Sequence, residues 1–194
     1  MSRALKSLAI FFVFVAIYTL SRHGTSHAPS TSTTSTVSQT TTVVTTAPTP
    51  HCQGSDFRGA FNEGQGAAGT IYASITLLKN SPGTCTIKGW PTLTLQDRTG
   101  AVLPSSSVDV PSSASPVTFA DAKANAQPTS LTLSTGSMTT FSLAYSDVPV
   151  GNETCGSATS IAVALSSGGS TVSITPNYPQ QPCDHGRVWV SPFY

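Results

Sequence analysis

Hydrophobic and polar residues alternate along most of the chain beyond residue 51. Between residues 70 and 78, one set of alternate positions is apolar and the other set holds an aromatic residue and two hydroxyl residues. The apolar set is Ile71, Ala73, Ile75 and Leu77, and the other is Tyr72, Ser74 and Thr76. A period of two predicts a β-strand with one buried face.

The same alternation recurs in several short segments that are separated by turn residues. The apolar positions are Leu93 and Leu95, Leu131 and Leu133, Phe141, Leu143 and Tyr145, Ile161, Val163 and Leu165, and Val172 and Ile174. Residues 97–100, 135–136 and 167–169 supply the turns, and each of them is expected to close a hairpin. About seven short strands at this spacing predict an all-β fold, an immunoglobulin-like antiparallel β-sandwich.

Two segments do not fit the strand pattern. Residues 119–127 are alanine-rich, but Pro128 limits them to a short surface helix. Residues 104–116 are rich in serine and proline and are expected to be irregular.

The N-terminus has the pattern of an export signal. Arg3 and Lys6 precede an uncharged apolar run over residues 8–20. This run of 13 residues is shorter than the roughly 20 that a transmembrane helix needs. Residues 1–24 are therefore predicted to be a signal peptide, and an uncleaved signal anchor is the alternative. The protein is predicted to be secreted, with membrane contact only through this segment.

Residues 25–50 form a separate region by composition. Eleven of these 26 residues are threonine and five are serine, and none is charged. Such a segment cannot bury a core and is predicted to be a disordered stalk. Residues 51–194 then fit one domain.

The four cysteines Cys52, Cys85, Cys155 and Cys183 all lie in this domain. Outside the cytosol an even number of cysteines predicts two disulfides, for which three pairings are possible. Pairing neighbours in the sequence joins Cys52 to Cys85 and Cys155 to Cys183, and each bridge would contribute roughly 3–4 kcal/mol. A zinc site is not expected, because no cysteine pair has the close spacing that such sites use.

At several positions the domain resembles an actinobacterial secreted family that is catalogued as domain of unknown function 4232. The matching positions are Gly64-Gln65-Gly66-Ala67-Ala68-Gly69, the strand 71–78, Asn80, Cys85, Gly89-Trp90-Pro91, Leu93-Thr94-Leu95, Asp97, Gly100, the 131–145 segment with Gly136, Cys155 and Cys183. The resemblance covers essentially all of 51–194. It implies a β-sandwich attached to the cell envelope and implies no activity.

Titratable groups are too sparse to indicate an active site. The domain has six basic and eight acidic residues, so no basic patch is expected to bind nucleic acid. His185, next to Asp184, is the one histidine expected in an ordered position, and the chain lacks G-x-S-x-G, H-E-x-x-H and P-loop signatures. No catalytic residue, cofactor site or metal site is therefore predicted.

The remaining candidates are aromatic residues. Trp90 is expected to pack in the core or at a strand edge, with a contact surface as the alternative. Trp189, Phe193 and Tyr194 are expected to be more exposed and are the best candidates for a contact surface. The sequence thus predicts an exported, envelope-associated, non-catalytic domain that binds an envelope protein or glycan or has a structural role. A hydrolase acting on envelope polymers and a passive spacer are the alternatives.

Overall fold

The computed structural model describes residues 47–113, 115–165 and 169–194. The predicted signal segment and the stalk up to residue 46 lie outside these described residues. Within the described part of the chain, no helix has both the length and the apolar character needed to cross a membrane.

The described residues form an all-β structure with two short 3₁₀ turns, at Gly54–Asp56 and Ala122–Asn125. The strands in chain order are β1 (Phe57–Ala67), β2 (Thr70–Lys79), β3 (Cys85–Ile87), β4 (Thr92–Gln96), β5 (Ser106–Asp109), β6 (Leu131–Leu133), β7 (Met138–Ser146), β8 (Ser160–Ala164), β9 (Thr171–Ile174) and β10 (Arg187–Val190).

These strands form three sheets. The largest has the order β1-β2-β7-β10-β5, the second has the order β4-β8-β9, and the third pairs β3 with β6. All pairs are antiparallel except β10 with β5, which run parallel. The inward side chains of all three sheets meet in one apolar core, which includes Ile75, Phe141, Leu93, Val163 and Leu133. The sheets are therefore arranged in a sandwich-like way. In such an arrangement the apolar residues of each strand point into the shared core and alternate with polar residues that point outward.

The strand predicted at residues 70–78 is confirmed as β2. Ala73, Ile75 and Leu77 are buried, whereas Ser74 and Thr76 are only half-buried. The pairing of β8 with β9 is confirmed too.

The long strand β1 was not predicted. It lies at the edge of the largest sheet, and most of its residues are exposed, so it lacks a clear apolar alternation. It returns into β2 through Ala68 and Gly69, which have positive φ angles of 50° and 83°. Two consecutive residues with positive φ form the type of tight turn that matches the twist of a hairpin.

Two of the expected hairpins differ in the structure. After the turn at residues 97–100, only Val102 pairs with β4, in a single bridge to Gln96, and β4 pairs along its length with β8. The turn at residues 135–136 does not fold β7 back on β6. Instead, the N–H of Gly136 donates to the carbonyl oxygen of Lys79, and the N–H of Lys79 donates to the carbonyl oxygen of Ser137. These bonds direct β7 along β2, in a different sheet from β6.

Both disulfides predicted by neighbour pairing are confirmed. Cys52 is bonded to Cys85 and Cys155 to Cys183. The first bridge lies beside hydrogen bonds that join Thr86 to Pro50 and Cys52. Two disulfides indicate an oxidising, extracellular environment.

The segment 104–116, expected to be irregular, contains the strand β5. Its backbone pairs with β10, so that Val108 lies opposite Trp189. The expected short helix within 119–127 is confirmed as the second 3₁₀ turn. We call residues 110–113 and 115–127, which follow β5, the strap.

Candidate functional site

The strap packs on the outer face of the largest sheet, on the side opposite the main core. Val110, Val117, Phe119 and Ala124 of the strap form a second apolar cluster with Ala144 of β7 and Trp189 of β10. Tyr72 of β2 packs against this cluster, and its ring meets the ring of Phe119 edge to face, with centroids 6.4 Å apart. The outer face is thus divided into a covered part and an open part.

The structure corrects the prediction for two aromatic residues, Trp189 and Phe193. Trp189 is 9% exposed because the strap covers it, and Phe193 is 2% exposed because it packs in the main core against Phe141. Neither side chain is available as an open contact surface. Tyr194 is half-buried, so its role in contact stays a prediction.

Trp90 packs against the main core, and its part in a contact surface stays a prediction. It is half-buried against the main core, and its Nε1 donates a hydrogen bond of 2.9 Å to the carbonyl oxygen of Val110. The indole thereby fixes the start of the strap.

The side-chain amide of Asn125 holds the middle of the strap in shape. Its Oδ1 accepts from the N–H of Phe119 at 2.8 Å, and its Nδ2 donates to the carbonyl oxygens of Phe119 and Asp121 at 2.7 and 3.0 Å. The carboxylate of Asp121 also accepts from the N–H of Lys123, which caps the 3₁₀ turn. These bonds set the position of Phe119 over Tyr72.

A cleft of about 520 Å³ lies between the strap and the open part of the sheet. Its lining residues are Glu63, Gly64, Tyr72, Ala73, Ser74, Thr118, Phe119, Ala120, Asp121, Ser142 and Tyr194. We call it the sheet-face cleft. Its volume lies within the range of about 300–1,000 Å³ that is typical of small-molecule sites.

Gly64 shapes the wall of the cleft at a bulge in β1. The register of β1 against β2 shifts between Asn62 and Gln65. A Cβ atom on Gly64 would lie 1.0 Å from the carbonyl oxygen of Tyr72, so no other residue fits without moving the backbone. The glycine-rich segment at residues 64–69 is therefore a bulge and a hairpin turn.

Polar side chains continue from the cleft across the open face of the sheet. Ser74 lies opposite Ser142, and Thr76 lies opposite Thr140. The Nδ2 of Asn62 donates to the hydroxyls of Ser74 and Thr76 at 3.1 and 2.9 Å. We call Asn62, Ser74, Thr76, Thr140 and Ser142 the hydroxyl row.

Tyr194 closes the other side of the cleft. Its backbone exchanges two hydrogen bonds with Thr140, and its hydroxyl lies 2.9 Å from the hydroxyl of Ser142. The aromatic ring is thus held against the hydroxyl row.

The charged residues that line the cleft are both acidic. Oε1 of Glu63 accepts a bond of 2.9 Å from Asn177, and Oδ1 of Asp121 caps the 3₁₀ turn. No lysine or arginine is among the lining residues. The cleft therefore favours a neutral or cationic ligand over an anionic one.

The structure places Asp184 and His185 away from this cleft, in a turn after Cys183. Both residues have positive φ angles, of 52° and 57°, and their N–H groups donate to the carboxylate of Glu153. Oδ2 of Asp184 pairs with Arg187 at 2.9 Å. The imidazole of His185 is 78% exposed and lies 3.4 Å from Glu153.

Glu153 is used to hold two loops together. Backbone N–H groups of Val150, His185 and Asp184 lower the pKa of its carboxyl below the usual range. Its oxygen atoms lie close to the sulfur atoms of Cys155 and Cys183. Those sulfurs are bonded to each other, so they do not offer thiolates to a metal ion.

One feature of the sequence indicates the cleft. Tyr72 is an aromatic residue on the polar face of a half-buried strand, where it shares a face with Ser74 and Thr76. Such a residue needs a partner above the sheet. The sequence did not identify Phe119 or Asp121 as neighbours of Tyr72, because the strap is distant from Tyr72 along the chain and packs beside it only in the folded domain.

Comparisons with known proteins give one match. A family model described as a domain of unknown function (DUF4232) matches residues 52–194. No curated protein and no solved structure matches the chain.

Proposed function

Because the chain belongs to the DUF4232 family, whose description includes no activity, we propose a function from the geometry of the domain. We propose that the protein is exported, is associated with the cell envelope and acts by non-catalytic contact. The sheet-face cleft, with its aromatic, hydroxyl and carboxylate lining, is the observation that carries this proposal.

Export is supported by two independent features. The apolar run at residues 8–20 follows two basic residues, as in a secretory signal. The two disulfides require an oxidising compartment to persist. The threonine-rich segment between them would then be a stalk that presents the domain, as in the actinobacterial secreted proteins that the sequence resembles.

We also propose that the sheets form an immunoglobulin-like sandwich. One apolar core contains inward residues from the largest sheet and from the β4-β8-β9 sheet, which supports two facing layers. An experimental structure in which these two sheets do not face each other would contradict this part of the proposal.

The placement of the candidate catalytic residues favours contact over hydrolysis. Asp184 and His185 pair with Arg187 and Glu153, and no serine hydroxyl is a hydrogen-bond partner of either side chain among the described residues. A hydrolytic site would need a nucleophile within reach of its base. The polar side chains at the cleft are oriented by hydrogen bonds to one another and lie on the strands of a sheet, an arrangement that suits binding.

Co-sedimentation with isolated envelope fragments tests the proposal. The full chain, with its disulfides intact, is mixed with increasing amounts of fragments, and the sedimented fraction is measured. We expect saturable binding that Tyr72→Ala weakens and that Tyr178→Ala leaves unchanged. Tyr178 is the matched control because it is 67% exposed and does not line the cleft.

Two results would overturn contact through the cleft. One is wild-type protein that remains in the supernatant at every fragment concentration, as a passive spacer would. The other is equal sedimentation of the two tyrosine variants. Circular dichroism of each variant shows whether the fold is retained.

A further inference from the structure

We infer that the sheet-face cleft and the hydroxyl row bind a neutral saccharide chain. This inference rests on the proposed contact function, and it names the chemical class of the ligand. Three observations on the described residues carry it: the aromatic walls, the row of hydroxyl and amide groups, and the sign of the charge in the cleft.

The aromatic walls suit the apolar face of a sugar ring. Tyr72 and Tyr194 are half-buried and line the cleft, so part of each ring is open to it. Phe119 holds Tyr72 edge to face, and the hydrogen bond between the hydroxyls of Tyr194 and Ser142 fixes the second ring. Because both rings are already held in place, they offer apolar surface to a ligand and lose little side-chain conformational entropy when it binds.

The hydroxyl row suits the hydroxyl groups of a sugar. The hydroxyls of Ser74, Thr76 and Thr140 are donors and acceptors at once, as sugar hydroxyls are. The side chains of Asn62, Thr76 and Thr140 already form a chain of bonds of 2.9 to 3.2 Å, which orients them before a ligand arrives. The four hydroxyl residues of the row lie on two rungs of the β2–β7 ladder, and Thr76 and Thr140 do not line the cleft. The row therefore extends beyond the cleft, and a ligand longer than one ring is expected.

The charge in the cleft disfavours anionic saccharides. Glu63 and Asp121 are carboxylates, and no cationic side chain lines the cleft to balance them. Each carboxylate can accept hydrogen bonds from sugar hydroxyls, but it repels a uronate or a phosphate. A neutral chain is therefore favoured over an acidic one of equal length.

The first test measures binding of soluble probes to the oxidised full chain by isothermal titration calorimetry. The probes are neutral hexasaccharides of glucose, mannose and N-acetylglucosamine, with hexagalacturonate as the anionic comparison. We expect at least one neutral probe to bind, and we expect Tyr72→Ala and Ser142→Ala each to weaken it about tenfold or more, equivalent to roughly 1.4 kcal/mol. Tyr178→Ala should bind like the wild type.

Asp121→Asn tests the charge without removing the cap. Asparagine caps a helical turn nearly as well as aspartate, so the strap should keep its shape. We expect this variant to bind hexagalacturonate more tightly than the wild type does. Tighter binding of hexagalacturonate than of every neutral probe by the wild type, or no neutral binding at all, would overturn the inference.

Treated envelope fragments separate the failure of this inference from the failure of the proposed function. Periodate cleaves the vicinal diols of 1,4-linked glucose and mannose, a chitinase cleaves 1,4-linked N-acetylglucosamine, which has no vicinal diol, and a protease removes protein. Co-sedimentation that is lost after the combined periodate and chitinase treatment and kept after protease supports the saccharide. The reverse result overturns the saccharide and leaves the contact function standing, and absence of sedimentation with untreated fragments overturns both.

Discussion

The buried ammonium group of Lys79 is linked to the carboxylate of Asp56 by a single hydroxyl, that of Ser81. Lys79 is 2% exposed at the end of the inward face of β2, and its Nζ donates to the Ser81 Oγ at 2.6 Å and to the Ser81 carbonyl at 3.0 Å. The hydroxyl in turn donates to Oδ1 of Asp56 at 2.7 Å. The Ser81 hydroxyl thus accepts from Lys79 and donates to Asp56, so it links the two charged groups. Ser81 does not line the sheet-face cleft, and we therefore assign it a structural role.

We expect Ser81→Ala to lower the free energy of unfolding by about 1–3 kcal/mol, because a buried cation and a carboxylate each lose a partner. Urea unfolding measures the change, and Thr84→Ala, at an exposed position of the same loop, is the control. In a Lys79→Met background the cost should be smaller by at least about 0.5 kcal/mol. An equal cost in both backgrounds would show that the ammonium group does not use the hydroxyl.

Acid should destabilise the domain through three carboxylates. The backbone N–H of Gln53 and the Ser81 hydroxyl lower the pKa of Asp56, and Thr99 lowers the pKa of Asp97 by side-chain and backbone bonds. The pKa of Glu153 is lowered as described above. Groups with a depressed folded pKa stabilise fully above the unfolded value of about 4, and this contribution is lost as the pH falls through the folded pKa.

Asp97→Asn provides the test. An asparagine Oδ1 still accepts the bonds that Thr99 and Ala101 donate to Asp97, but it does not titrate. We expect a shallower decrease of unfolding free energy below about pH 4 than in the wild type, measured by urea unfolding across the acid range. Ser130→Ala, at an exposed loop position, should leave the pH dependence unchanged. Parallel curves for Asp97→Asn and wild type would contradict the assignment.

Alkali should destabilise the domain through Tyr145. Burial, together with the nearby charge of Asp147, raises the pKa of Tyr145 to about 12. Its hydroxyl donates to Oε1 of Gln180 at 2.6 Å. The folded state thus holds the neutral phenol, and its contribution is present below about pH 10 and is lost as the pH rises toward the folded value. Tyr145→Phe should reduce this alkaline loss in urea unfolding, and Tyr178→Phe should not.

Gly64 should not tolerate a side chain, because a Cβ atom there would overlap the carbonyl group of Tyr72. We expect Gly64→Ala to cost about 1–3 kcal/mol and to distort the cleft wall. Gly66→Ala is the matched control, since its Cβ would lie 3.1 Å from the flexible end of Ile71. Thermal unfolding compares the two variants, and equal melting temperatures would argue against the bulge.

The strap should loosen when Asn125 loses its amide. Asn125→Ala removes three hydrogen bonds that shape residues 119–121, so we expect a loss of about 1–3 kcal/mol and faster amide hydrogen exchange at Phe119. Gln127→Ala, at an exposed strap position, is the control. Unchanged exchange at Phe119 would mean that packing on Tyr72 alone holds the strap.

Local pattern was enough to predict much of the sheet structure. The alternation in β2 identified its buried face, because side chains of a strand point to opposite sides in turn. Neighbour pairing of Cys52 with Cys85 and of Cys155 with Cys183 was confirmed. The first property depends on adjacent positions, and the second pairs cysteines that are consecutive in the chain although they are 33 and 28 positions apart.

Partners distant in the sequence could not be predicted in the same way. β6 has the pattern of a hairpin arm, yet it pairs with β3, because pairing depends on which edges the rest of the fold leaves free. Trp189 was expected to be exposed, and it is buried because the strap, more than 60 residues earlier in the chain, crosses its strand.

The sequence by itself determined the all-β character, because short-range alternation sets it, and pairing consecutive cysteines was enough to predict both disulfides, whereas the export signal stays a prediction. Only the tertiary structure decided which aromatic residues are covered and where Tyr72, Asp121 and Tyr194 meet. These three residues come from separate parts of the chain, and they share one cleft only because the sheet order and the packing of the strap bring them together.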